Sequence, residues 1–196
     1  MAQSAPRRYT YEEYLRGEEV SDVKHEFCDG AILAMAGGSR ERSLLKTNLL
    51  TEVALALRGR PCRAFDADLR SLLEEANFAT YPDVAVVCPP ARWSPRDRNA
   101  LTNPTVLFEV LSPSTAAYDT GEKFDHYARF VSLREYVLVE SERVGVRVFR
   151  RDGDVWTLHR YGAGDTVELP AIDIRLDVDG IYDGWAELRA SGEVGA

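Results

Sequence analysis

Two apolar runs that each contain a single carboxylate constrain this chain more than any other feature. The first is Tyr81-Pro82-Asp83-Val84-Ala85-Val86-Val87 and the second is Val106-Leu107-Phe108-Glu109-Val110-Leu111. Short β-branched runs bounded by proline and polar loops read as buried strands. A charge inside such a strand is costly unless it is paired or binds a metal. The two strands are therefore expected side by side, with Asp83 and Glu109 sharing one place. Alternation along the second strand puts Glu109 and Leu111 on one face, while the Val110 carbonyl stays available as a neutral oxygen. Downstream, Asp119, Lys123 and Tyr127 are spaced by four and face one way if the segment is helical.

That pattern suits metal chemistry. Carboxylates favour hard divalent cations, and Mg2+ is usually held by one or two of them together with water and substrate phosphate. A lysine near such an ion would orient a water or stabilise phosphate charge. Each residue also has a plainer role. Asp83 after proline would cap a turn, and Glu109 would form a structural ion pair with Lys123. Lys123 would be a solvated helix residue, and Glu26 beside Lys24 a surface strand charge. His25, His126 and His159 are not spaced as a metal cluster. Without metal, two carboxylates in one desolvated place should titrate abnormally.

The rest of the 196-residue chain reads as one mixed α/β domain. Residues 1–8 are expected to fray, 9–188 to form a single domain, and 189–196 to be a flexible tail. Thr10 is a candidate N-cap for a helix ending near Gly17. Asp29-Gly30 signals a two-residue hairpin. After Gly37-Gly38-Ser39, a long helix carries an apolar stripe of Leu44, Leu45, Leu49, Val53, Ala56 and Leu57. Residues 63–73 read as a strand or hairpin. Residues 89–103 form a long loop that holds Arg92, Arg96 and Arg98. A helix is expected near 120–130 and strands at 136–140, 144–150, 155–161 and 166–169, with a closing turn at Asp179-Gly180. No run approaches the ~20 apolar residues of a membrane span.

With 24 Lys and Arg against 32 Asp and Glu, the net charge is -8. That total disfavours sequence-independent binding to phosphates, so any nucleic-acid contact must rest on local clusters such as Arg92, Arg96 and Arg98. The N-terminal sequence lacks the apolar stretch of a signal peptide. Cys28, Cys62 and Cys88 are an odd number without a CxxC pair, and are expected to be reduced thiols in a cytoplasmic protein.

Pro82-Asp83 followed by Glu109-Val110-Leu111 resembles the PD-(D/E)XK nuclease superfamily, whose fold is restriction-endonuclease-like. The segments Tyr11 to Tyr14, His25 to Gly30, Met35 to Ser39, Tyr81 to Val84 and Phe108 to Thr115, with Asp119, Lys123 and Tyr127, are together similar to the Uma2 family, also called DUF820. The resemblance spans roughly residues 9 to 185. It implies a restriction-endonuclease-like core with flanking helices and extra C-terminal strands. It also implies Mg2+-dependent phosphodiester cleavage, with Mn2+ as a substitute, acting on nucleic acid and DNA first of all. Asp83, Glu109 and the Val110 carbonyl would hold the metal, Glu26 would assist, and Tyr127 and Asp119 would support. Two positions depart from the pattern. The superfamily lysine would fall at Leu111, so Lys123 is expected to supply it. Arg42 stands where Uma2-like chains often have histidine. Replacing Lys123 by Ala is expected to spare the fold and abolish cleavage. A homodimer is expected, partly from the resemblance and partly because Ile181, Tyr182 and Trp185 look exposed. The competing expectation is a non-catalytic module of the same fold that binds nucleic acid or a protein.

Overall fold

A computed structural model describes residues 7–35 and 37–193. Most of the stretch expected to fray lies outside these residues, but Arg7 pairs with Glu13 at 2.9 Å and Tyr9 donates its N–H to the Gly30 carbonyl. Helix α1 (Tyr11–Glu18) begins at Thr10 with a complete capping box: Glu13 N donates to Thr10 Oγ1, and Thr10 N donates to the Glu13 carboxylate. Strands β1 (His25–Cys28) and β2 (Ala31–Ala34) form the expected hairpin. Asp29 and Gly30 both take positive φ, 43° and 88°, as a tight hairpin turn requires.

Helix α2 (Arg40–Ala56) is capped by Ser39 and buries Leu45, Leu49 and Val53. The segment 63–73 splits into β3 (Arg63–Asp66) and β4 (Arg70–Leu73), which join different sheets. There follow β5 (Phe78–Thr80), β6 (Val84–Val87), β7 (Ala100–Leu101) and β8 (Val106–Val110). The expected helix near 120–130 is two short pieces, α3 (Ala116–Thr120) and α4 (Glu122–Tyr127), broken at Gly121. Strands β9 (Glu135–Val139), β10 (Val146–Asp152), β11 (Val155–Tyr161), β12 (Thr166–Leu169) and β13 (Ile174–Asp177) come next. The chain ends in α5 (Val178–Ile181) and α6 (Trp185–Glu193).

The architecture is mixed α and β. One sheet has the order β2-β1-β5-β4-β7 and a second has β11-β10-β9-β8-β6-β3, while β12 and β13 pair separately. In the second sheet β6 runs antiparallel to β8, and β8 runs parallel to β9. Strand alternation divides its side chains between two cores. Val84, Val86, Phe108 and Val110 pack with α2 and the C-terminal segments. Ala85, Leu107, Tyr136 and Leu138 pack with Tyr127, Phe130 and Phe78, which come from α4, the turn after it and the first sheet. Helix α1 covers the first sheet by packing Tyr11 and Tyr14 on Phe27 of β1.

Several expectations change here. Asp179 and Gly180 lie within α5 rather than in a turn. Of the stretch 189–196 expected as a flexible tail, residues 189–193 belong to α6; 194–196 lie outside the described residues. Ile181 is fully buried and Tyr182 is buried, its hydroxyl donating to the Glu140 carbonyl at 2.6 Å; Trp185 packs against the same core. These side chains therefore complete the chain's own core and give no motive for a dimer. The expectation of three reduced thiols is also overturned, because Cys62 and Cys88 form a disulfide and Cys28 alone is free. The reason is register: β3 and β6 are antiparallel with Arg63 opposite Val87, so the next pair outward brings the two cysteines face to face. Among the described residues, no helix is long and apolar enough to cross a membrane.

Candidate active site

The antiparallel register of β6 and β8 sets Val84 opposite Phe108. One step further along the same register brings Asp83 opposite Glu109. Asp83 is held at the strand end by the Val110 N–H, which donates to its Oδ2 at 2.7 Å. Glu109 is buried on the face of β8 toward α4. There Lys123 Nζ lies 2.8 Å from its Oε1, and the Tyr127 hydroxyl donates to the same oxygen at 2.8 Å.

Lys123 also pairs with Glu26 Oε1 at 2.7 Å and lies 3.6 Å from Asp119 Oδ1. Its side chain is only 4% exposed, so it is not a solvated helix lysine. Glu26, on β1, is likewise buried rather than on the surface. It accepts from the Thr80 hydroxyl and from Tyr118 at 3.3 Å. Lys123 thus ties the two sheets together, since Glu26 belongs to one and Glu109 to the other. Tyr136 fixes α3 by donating to the Asp119 carbonyl at 3.1 Å.

Burial pushes the Glu109 carboxyl up to about 8, with the charges of Asp83 and Asp119 adding to the rise and Lys123 opposing it. Asp119 is raised mainly by burial as well. For Lys123, burial favours the neutral amine, but Glu109, Glu26 and Asp119 outweigh it and hold the ammonium well above its ordinary range. Burial also keeps Tyr127 protonated, so it acts as a donor to Glu109.

Two residues at this site had no assigned role from sequence. Arg42 donates through Nε to the Val110 carbonyl at 2.8 Å and through Nη2 to Asp83 at 3.1 and 3.3 Å. Lys46 Nζ lies 2.8 Å from Asp83 Oδ1. They are one turn apart on α2; that spacing, and for Arg42 its place where Uma2-like chains often have histidine, were the signals available. Glu26, Arg42, Glu109, Tyr118, Asp119 and Lys123 line a cavity of about 270 Å3. Arg92, Arg96 and Arg98 do not line it. Arg96 is tied to Glu12 at 2.7 Å, while Arg92 lines a separate hollow beside Trp93.

The donor set suits a hard cation in kind, with two carboxylates and a carbonyl oxygen beside an open cavity. Among the described residues, no three His, Cys, Asp or Glu side chains converge as a ready-made cage. A sparse set is nevertheless what Mg2+ commonly uses, since it keeps waters and takes substrate phosphate as ligands.

The chain resembles two uncharacterized proteins of Synechocystis. It is 41% identical to slr1290 over 180 residues, covering 89% of this chain and 92% of that one. It is 32% identical to sll1609 over 160 residues, covering 82% and 90%. A crystal structure from Anabaena variabilis, described as a "putative nuclease belonging to DUF820", superimposes with a TM-score of 0.72 at 17% identity, covering 90% of this chain and 98% of that one. At that identity the likeness speaks for the fold alone, which is the mixed α/β fold described above. The profile of the Uma2 family, described as "Putative restriction endonuclease", matches residues 11–179. With that match over most of its length, and the segments around Asp83, Glu109 and Lys123 inside it, the chain belongs to the Uma2 family of restriction-endonuclease-like proteins.

Proposed function

We propose that the protein is a metal-dependent endonuclease that hydrolyses phosphodiester bonds in nucleic acid, with DNA as the expected substrate and Mg2+ or Mn2+ as cofactor. One observation carries the reading: Lys123 is buried between Glu26 and Glu109 at the wall of an open cavity. Buried ionic clusters add little stability compared with apolar packing. Three carboxylates, Glu26, Glu109 and Asp119, and two cations, Arg42 and Lys123, line that one cavity, which points to chemistry more than to structure.

Asp83, Glu109 and the Val110 carbonyl are the proposed metal ligands. Bound there, Mg2+ would neutralise charge on the scissile phosphate and lower the pKa of an attacking water. Lys123 faces the same cavity as a fixed ammonium. Its proposed role is to hold that water and to stabilise the charge that builds on the phosphate. Glu26 aims the ammonium and serves as an accessory acid. Tyr127 fixes Glu109 by its hydroxyl, and Asp119 adds a third carboxylate around Lys123. Arg92, Arg96 and Arg98 remain proposed as contacts to the nucleic-acid backbone away from the cavity.

A homodimer stays within the proposal on family resemblance alone, and light scattering at micromolar concentration tests it. A cytoplasmic setting also stays, with the Cys62–Cys88 bond as the feature that favours an oxidising compartment. A second reading, a binding module without catalysis, is favoured by the pairing of Asp83 with Arg42 and Lys46. Incubating supercoiled and single-stranded DNA, and RNA, with Mg2+ or Mn2+ separates the two. The enzyme reading expects cleavage that disappears in Asp83→Ala. Retention of nucleic acid without cleavage under every condition supports the module.

A further inference from the structure

We propose that Arg42 occupies, in the resting protein, the position that a divalent cation must take, so that guanidinium and cation compete for the same oxygens; this rests on the metal-dependent reading above. The guanidinium spans Asp83 and the Val110 carbonyl, which are two of the three proposed ligands. A carboxylate offers about four lone-pair directions, and those of Asp83 are all engaged. Oδ1 receives Lys46 and one Arg42 contact, and Oδ2 receives the Val110 N–H and a second Arg42 contact. The Asp83 side chain is 0% exposed and the Arg42 side chain 12%. An ion that needs oxygens at about 2.0–2.1 Å cannot approach past a guanidinium donating to those same atoms.

One partner must leave, and the geometry identifies it. The Val110 N–H is backbone, fixed within β8. Lys46 reaches only Oδ1 of Asp83 and is partly exposed. Arg42 alone touches both Asp83 and the Val110 oxygen, and it alone of the three Asp83 partners also lines the cavity. Its place in the helix supports the assignment. Arg42 lies in the first turn of α2, where the positive end of the helix dipole disfavours a cation. The contact with Asp83 and Val110 supplies the compensation, so this arginine serves the site rather than the helix. Displaced, the guanidinium has the cavity to enter, where the phosphate of a substrate is its natural partner.

Calorimetric titration of the full chain with Mn2+ alone tests the competition, using the parent, Arg42→Ala, Lys46→Ala and Asp83→Ala, with circular dichroism to confirm folding. Arg42→Ala is expected to bind Mn2+ at least ~10-fold more tightly than the parent. Lys46→Ala should gain less than about threefold, since it removes a charge without clearing the Val110 oxygen. Asp83→Ala should bind none. Equal or weaker binding by Arg42→Ala overturns the proposal, as does an equal gain in Lys46→Ala, which would make the effect one of charge alone. If the parent binds Mn2+, Asp83→Ala does not, and Arg42→Ala matches the parent, the competition fails while the metal site stands. If neither the parent nor Arg42→Ala binds, both fall. Should Arg42→Ala not fold, Arg42→Gln carries the same expectation.

Discussion

Glu109 is the residue where burial and charge act most strongly against each other. Its carboxyl is raised from 4.5 to about 8 by desolvation, with Asp83 and Asp119 adding to the shift. The sign of the pH effect follows. Between roughly 4.5 and 8 the folded protein holds a proton at Glu109 that the unfolded chain has lost, so stability from this group falls as pH rises through that window. Above it both states are ionised and the loss is complete. Glu109→Gln imitates the protonated carboxyl and does not titrate. Urea midpoints at pH 5 and pH 8.5 should therefore show the variant gaining on the parent as pH rises, on the order of 1 kcal/mol per pH unit within the window. A difference between parent and variant that stays constant with pH would mean that Glu109 is ionised throughout. In a nuclease assay the same variant should be inactive at every pH, because it lacks a proposed metal ligand.

At the scale of elements, β6 carries chemistry at one end and a covalent tie at the other. Asp83 immediately precedes the strand and Cys88 immediately follows it. The Cys62–Cys88 bond closes a sequence separation of 26 residues, for which the chain-entropy account gives ~3.5 kcal/mol. The double variant Cys62→Ala, Cys88→Ala is expected to unfold at lower urea by about that amount. Its Mn2+ affinity should match the parent's, since the tie lies at the far end of the strand from Asp83. A loss of metal affinity that exceeds the loss of stability would show that the strand end transmits to the site. Strands β6 and β8 were legible in the sequence because unbroken β-branched runs have few other solutions. The hairpin was legible because Asp29-Gly30 demands positive φ, and the core stripe of α2 because Leu45, Leu49 and Val53 repeat every four residues. The disulfide was not, because cysteine spacing does not encode strand register. Nor was the separation of β3 from β4, since local alternation says nothing about which sheet receives a strand. Lys46 read from sequence as an ordinary basic residue on a helix, and Arg42 only as a departure from the family pattern. Only the packing of α2 against the β6–β8 end turns them onto Asp83.

Across the whole molecule, Lys123 is an ionic tie between two sheets that also share an apolar core around Phe78, Leu107 and Tyr136. It stands between Glu26 of the first and Glu109 of the second, and its ammonium is almost inaccessible. At this burial, replacing it alone is expected to cost stability as well as cleavage. Lys123→Ala or Lys123→Met leaves Glu26, Asp119 and, once ionised, Glu109 buried without their cation, and breaking a buried pair from one side typically costs ~3–5 kcal/mol. Loss of cleavage in such a variant would then be ambiguous between a missing catalytic group and a loosened site. Neutralising all three positions together resolves it. In Glu26→Gln, Glu109→Gln, Lys123→Met the two close carboxylates and their cation are neutralised together, only the more distant Asp119 at 3.6 Å keeping its carboxyl, and the hydroxyls of Thr80 and Tyr127 still have amide oxygens to which they can donate. Stability is expected to return to within about 1–2 kcal/mol of the parent, as isosteric apolar or neutral replacements of buried ionic sets generally allow. Lys123→Met alone should sit several kcal/mol lower. Both variants should be inactive as nucleases. Full stability in the triple variant with complete loss of cleavage would assign the cluster to function. If Lys123→Met alone proves as stable as the parent, the ammonium contributes nothing to joining the sheets, and the placement of Lys123 as an inter-sheet tie is wrong.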